Sequence, residues 1–283
     1  MTNILKNYKT AMLYSLACIL AAAPTFAQQT SIDNGVAYLG TTQNLDGSWG
    51  NNSGLTVLDT STVLDTLKDI NASSSAYSNG AAWLNAQSPL STDFISRKVL
   101  TLHRAGVDVS ADLSTLINSR NLDGGWGGDS NFTSMVLDTT LSLLALKAAN
   151  ATDQTVLNNA LTYLLSNQNA DGGFGFYVGD SSNVYMTALV SWTFQQFPQT
   201  TAIATAINKA TSFLIARQNT DGGFGSSPST VFETAHAYIA LVSVITDATV
   251  LENAITYLTV SQSADGATIS VETGSASQWC VPT

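Results

Sequence analysis

The sequence predicts an all-α fold of stacked helical hairpins, five complete and a partial sixth. Three observations predict it. A glycine phrase, Gln-Asn-x-Asp-Gly-(Gly/Ser)-(Trp/Phe)-Gly, recurs at 43–50, 168–175 and 218–225, with Arg120 replacing the Gln at 120–127 and a worn copy from Gln262 through Asp265-Gly266. Such recurrence marks one supersecondary unit per repeat. A stretch with apolar residues three and four apart precedes the phrase, and a stretch apolar on all sides follows it.

The elements follow in order. Val36-Ala37-Tyr38-Leu39 before Gln43 predicts a one-sided helix, and 57–67 its buried partner. Ala81-Ala82-Trp83-Leu84 before Gln87 and the stretch 94–105 form a second pair that has lost its glycine phrase. The third buried helix is 135–146. The fourth pair is 160–165 with 184–194, and the fifth 210–214 with 231–244. The sixth has only its first helix, 254–258, because 267–283 is polar and carries no helical stripe. Within each phrase the glycines break the first helix and permit positive φ. A helix apolar all round is covered on both sides, so the second of each pair is inner and the first outer.

The flanks differ. Lys6 and Lys9 precede a short apolar run, and Thr25-Phe26-Ala27 offers small residues where a signal peptidase cuts. Residues 1–27 therefore read as a signal peptide, 28–266 as the repeat domain and 267–283 as an irregular tail; a lipoprotein signal through Cys18 is the weaker alternative. Losing the leader moves the net charge from −10 to about −12. An acidic chain repels phosphate backbones, which argues against nucleic acid as a partner. No later apolar run reaches membrane-spanning length. Cys280 is the one cysteine beyond the leader, which leaves no intrachain disulfide.

These units resemble the QW-type repeats of squalene cyclases and of protein prenyltransferase β subunits, over roughly residues 30–266. The resemblance implies an α/α toroid of five helical hairpins plus a partial sixth, inner helices around an axis and outer helices around them. It also implies a structural role, tying neighbouring helices, for Gln43, Gln168, Gln218, Trp49, Trp126, Phe174 and Phe224. The Asp of each phrase caps a helix or closes the turn.

The resemblance carries its chemistry less well. Class II cyclases protonate an alkene with the central Asp of Asp-x-Asp-Asp-Thr at an inner-helix start. The matching stretches are Met135-Val136-Leu137-Asp138-Thr139 and Thr56-Val57-Leu58-Asp59-Thr60, so Leu137 and Leu58 stand where the proton donor belongs; a leucine donates no proton, and class II cyclisation is not expected. The prenyltransferase zinc site needs Asp, Cys and His, and here His103 and His236 lie far apart with Cys280 in the tail. The Gly-Cys-Gly-Glu-Gln thioester setting of the complement toroids has no match. Neither a metal nor a cofactor is expected; the loops at Asp129 and Asp180 lack EF-hand spacing for calcium.

What remains is a recurring pair at the inner-helix starts: Asp59-Thr60, Asp138-Thr139 and Glu233-Thr234, with Met186-Thr187 in the fourth repeat. Carboxylates there complement the helix dipole, which is a purely structural use. Alternatively they form an acidic ring for a cation, polyol or sugar. Glu233 and His236 share a helix face and, with Tyr185, Trp192 and Tyr238, would suit a carbohydrate. The leading expectation is a secreted, non-catalytic protein binding a small molecule, glycan or cell-surface protein at the cavity rim. A terpene-cyclase-like, prenyltransferase-like or glycan-active enzyme using the inner-helix carboxylates is the alternative, and a structural surface protein the third.

Overall fold

A computed structural model describes residues 26–263 and 265–267. Their eleven α-helices alternate between two kinds. The outer helices are α1 (Phe26–Thr41), α3 (Ser75–Asn85), α5 (Ser110–Asn118), α7 (Gln154–Ser166), α9 (Thr201–Ile215) and α11 (Ala248–Val260). The inner ones are α2 (Thr56–Ile70), α4 (Thr92–Arg104), α6 (Val136–Ala148), α8 (Val184–Gln195) and α10 (Val231–Leu241). The proposed leader before residue 26, Cys18, Cys280 and all of the tail beyond Ala267 lie outside the described residues.

Burial separates the two kinds as the sequence pattern does. In α8 every residue of 186–194 is buried. In α7 only Val156, Leu157, Ala160, Leu161, Tyr163 and Leu164 are, a stripe at helical spacing. Side-chain caps fix many starts: Ser74 for α3, Asp153 for α7, Asn183 for α8, Thr200 for α9, Thr230 for α10 and Asp247 for α11.

The glycine phrase is the joint between outer and inner helix. Its Asp closes the turn: Asp171 Oδ1 accepts from Gly173 N at 3.0 Å and from Ser182 Oγ at 2.7 Å, and Asp123 and Asp221 do the same with their own repeats' groups. Gly172 has φ +88°, and a Cβ there would come within 2.6 Å of the Lys209 carbonyl, so this position admits only glycine. The Gln amide joins two repeats. Gln168 Nε2 donates to Gly172 O and to Ala206 O of α9, each at 2.9 Å. Gln43 bridges in the same way to Ala76 of α3, and Gln218 to Val250 of α11. The aromatic plugs the joint: Trp49, Trp126, Phe174 and Phe224 are fully buried. The indole N–H groups of Trp49 and Trp126 donate to Leu39 O and Leu116 O of the preceding outer helices.

The chain separates into two compact units, Gln87–Arg217 and the flanking residues up to Ala86 and from Gln218. In the first, α4 packs on α6, α6 on α7 and α8, and α8 on α9. Its opening repeat lacks the glycine phrase and uses an ion pair instead. Lys98 Nζ, on α4, donates to Gln87 O at 2.8 Å and meets Asp112 Oδ2 of α5 at 2.8 Å. In the other unit α2 packs on α3 and α10 on α11. There the sixth joint closes on the first outer helix: Gln262 Nε2 donates to Gly266 O and to Ser31 O of α1, each at 3.0 Å. Ile32 and Val36 of α1 pack beside Ile70 and Ile255 at the same junction. Among the described residues, no helix is long and apolar enough to cross a membrane.

Candidate functional site

The threonine of each inner-helix pair belongs to the joint. Thr60, Thr139, Thr187 and Thr234 Oγ1 accept the backbone N–H of Trp49, Trp126, Phe174 and Phe224 at 2.8–3.0 Å. Each threonine thus satisfies a buried donor that would otherwise be stranded. The residue before the threonine is freed for other work, and its surroundings differ between repeats.

Asp59 and Glu233 sit on the last glycine of their own phrases. A Cβ on Gly50 would collide with the Asp59 carboxylate, and one on Gly225 would lie 2.5 Å from Glu233 Oε2. Glu233 Oε2 also accepts from Thr230 Oγ1 at 3.1 Å, while Thr230 Oγ1 accepts from Glu233 N at 3.1 Å. This reciprocal arrangement is a helix cap. His236, one turn on, lies against Phe232 with ring centroids 4.5 Å apart. Its Nδ1 is 2.8 Å from Phe232 O, and since a carbonyl only accepts, Nδ1 carries the proton.

Asp138 is different. It is buried at the start of α6, and α4 faces it with Asp93 and Arg97. Arg97 is itself buried, and its Nε donates to Asp93 Oδ1 one turn away. Further along the same helix pair, Ser96 Oγ and Ser142 Oγ meet at 3.3 Å. Burial is the main cause that pushes the Asp138 carboxyl from its ordinary 3.8 to about 6; the Asp93 charge pushes the same way and Arg97 opposes it. The charge balance explains the direction. Asp93, Arg97 and a protonated Asp138 sum to zero, whereas ionising Asp138 leaves an uncompensated charge in a buried place.

The loop before α8 touches both the start of α6 and Tyr185. Val136 N, two residues before Asp138, donates to Phe176 O at 3.0 Å, and the Phe176 ring lies 6.0 Å from that of Tyr185. Trp192, two turns along α8 from Tyr185, is buried. Asp59, Glu233 and His236 belong to the other unit. Among the described residues, no group of three or more His, Cys, Asp or Glu side chains is placed to hold a metal ion. Asp93 and Arg97 are the site residues that the sequence reading missed. Their signal was an acid and a base four apart on an inner helix, in a chain with only 11% charged residues.

The chain is similar to known proteins in three comparisons. It is 38% identical over 85 residues to (+)-kolavenyl diphosphate synthase of Herpetosiphon aurantiacus, a match covering 30% of this chain and 16% of that protein's length. Its structure resembles type II terpene cyclase MstE from Scytonema with a TM-score of 0.69 at 18% identity, over 87% of this chain and 82% of that one. It resembles ent-copalyl diphosphate synthase from Streptomyces platensis with a TM-score of 0.59 at 21% identity, over 85% and 50% of the two chains. At these identities the structural likeness establishes the fold, an all-helical α/α toroid. The named relatives are cyclases and synthases, which overturns the expectation of a non-catalytic binding protein and favours the terpene-cyclase-like alternative. The prenyltransferase alpha-alpha toroid domain family model matches residues 65–268, and the chain belongs to that family.

Proposed function

We propose that the chain is a terpene-cyclase-like enzyme that protonates an alkene of an isoprenoid, with Asp138 as the proton donor. The observation that carries the reading is the buried Asp138 carboxyl, whose pKa is raised to about 6. A general acid works best when its pKa lies near the working pH, so that it still holds its proton and can release it. The relatives' chemistry supports the class of substrate: one is named a kolavenyl diphosphate synthase and another a type II terpene cyclase.

In this reading the Asp138 O–H bond breaks as a C–H bond forms at the less substituted alkene carbon. The π electrons supply that bond and leave a tertiary cation at the neighbouring carbon. Internal alkenes attack the cation, rings close, and a proton is finally lost to a base or water, so the net change is isomerisation with no redox partner. Ionised Asp138 is the state that forms in the step, and Arg97, shared with Asp93, offsets only part of its charge. Asp93 holds Arg97 through the one-turn ion pair. Leu137 still occupies the central position of the family's acid motif, so the acid is displaced by one residue along α6.

The test is turnover of linear polyprenyl substrates by the wild-type chain and by Asp138→Asn, with products separated by gas chromatography. We expect cyclised product from the wild type and a loss of at least about 100-fold in the variant, in line with what general acid catalysis contributes. Equal turnover by the two proteins would remove Asp138 from the mechanism.

A further inference from the structure

We infer that Asp93 is a positioning residue that holds Asp138 in its acid form, both as a like charge across the contact of α4 with α6 and by engaging the Arg97 guanidinium. The inference rests on the proposed function above and deepens it.

Both helices belong to the unit Gln87–Arg217. Thr92 N, at the start of α4, donates at 2.9 Å to Gly128 O on the loop that leads into α6. Further in, Ser96 Oγ and Ser142 Oγ meet at 3.3 Å. The two helices therefore start at the same end and run in the same direction. Asp93 precedes Ser96 by three residues and Asp138 precedes Ser142 by four, spacings that keep each acid on the face of its serine. At 1.5 Å per residue the two acids stand within about 1.5 Å of one level along the helix axes. Arg97, one turn on from Asp93, leans back toward the helix start, as helical side chains do, and its Nε donates to Asp93 Oδ1. Asp138 and Arg97 are buried, and Asp93 is partly so. Asp93 thus acts on Asp138 in two ways. Its own charge opposes ionisation of its neighbour, and its bond to Arg97 takes up part of the compensating charge. Both favour the protonated carboxyl, in accord with the raised Asp138 pKa.

The other elements packed on α6 leave this role to α4. Helices α7 and α8 carry no acid, amine, guanidine or imidazole, only the phenols of Tyr163 and Tyr185. Helix α5 carries Asp112, which pairs with Lys98. On the loops before α6 and α8, Asp129 and Asp180 accept from amides of their own loops, Asn131 N and Tyr177 N. The far ends hold the remaining charges. Lys147, in the last turn of α6, lies over the Phe197 ring. His103 and Arg104 close α4, about 15 Å along the axis from Asp93.

The experiment follows the Asp138 carboxyl itself, by infrared difference spectroscopy of the full chain from pH 4 to 8, with the matching Asp138→Asn protein as the blank in each case. In Asp93→Asn the titration midpoint is expected to fall by at least about one pH unit, as removal of a close like charge requires. In Arg97→Gln it is expected to rise. Asp93→Glu, which keeps the charge, is expected to hold the midpoint near that of the wild type. A midpoint that is unmoved or raised in Asp93→Asn overturns the inference, and Asp93→Ser takes its place should the Asn variant not fold. Turnover separates this claim from the function. The loss of cyclisation with rising pH is expected to begin about one pH unit lower in Asp93→Asn than in the wild type, a change that lost packing alone does not produce. A shifted infrared midpoint with no product from the wild type sinks the proposed function and leaves the control of the acid standing. Product formed with the same pH profile by both proteins leaves the function standing and sinks the inference.

Discussion

Replacing Asp138 by Asn should make the protein more stable at neutral pH while removing its activity. The sign follows from linkage. The folded state holds the Asp138 proton up to about pH 6, whereas the unfolded chain releases it near 3.8. Between those values the native state binds more protons than the unfolded state, so stability falls as pH rises through that window and is level above it. A shift of about two pK units is worth about 3 kcal/mol, the cost that the folded state bears at pH 7 for ionising the buried carboxyl. Asn fills nearly the same volume without a charge and removes that cost. For a domain of this size about 1 kcal/mol moves Tm by roughly 2–4 °C, so the variant should melt several degrees higher at pH 7.5 and show little difference at pH 4. The assay is thermal unfolding followed by circular dichroism from pH 4 to 8 for both proteins. A variant that melts lower at pH 7.5, with no change in the pH slope, would show that Asp138 serves the helix start and is ionised at no cost, and the reasoning would fail.

Other outcomes follow from the joints. Thr187→Val strands the buried Phe174 N–H, which now donates to Thr187 Oγ1 at 2.9 Å. It should cost about 1–3 kcal/mol in urea unfolding, against under about 1 for the same change at an exposed threonine. Lys98→Met removes both the partner of half-exposed Asp112 and the donor to Gln87 O and should cost about 1–2 kcal/mol, only part of it recovered when Asp112→Leu is added. Gln262→Ala removes the amide that joins the sixth joint to Ser31 of α1. It should speed hydrogen exchange in α1 while leaving α8 unchanged, and equal exchange in both proteins would mean the junction is held elsewhere.

Much of the fold was legible because each repeat states its own grammar. The joint needs Asp, two glycines and an aromatic at fixed spacing, and those residues have few substitutes. The inner helices announce themselves because burial on all sides leaves no polar face. Where the local signal was thin, less could be read. Helix α5 buries only Leu116, too little for a stripe. The second repeat replaces its glycine phrase with Lys98 reaching Asp112, a pair that means nothing until α4 and α5 are folded against each other. The site was half legible for the same reason. Asp59, Asp138 and Glu233 look alike in sequence, each before a threonine. Only packing distinguishes them: Asp59 and Glu233 rest on the closing glycines of their own joints, whereas Asp138 faces Asp93 and Arg97 from a helix more than forty residues earlier in the chain. Spacing along one helix cannot report a neighbour supplied by another.

The proton's origin tests the central claim most directly. The Asp138 carboxyl exchanges with solvent, so wild-type turnover of a linear polyprenyl substrate in D2O should place one deuterium on the carbon that the acid protonates, read by mass spectrometry of the cyclic product. The account predicts that label, and predicts that product and label vanish together in Asp138→Asn. A cyclic product formed without deuterium, or labelled product that persists in the variant, would contradict it.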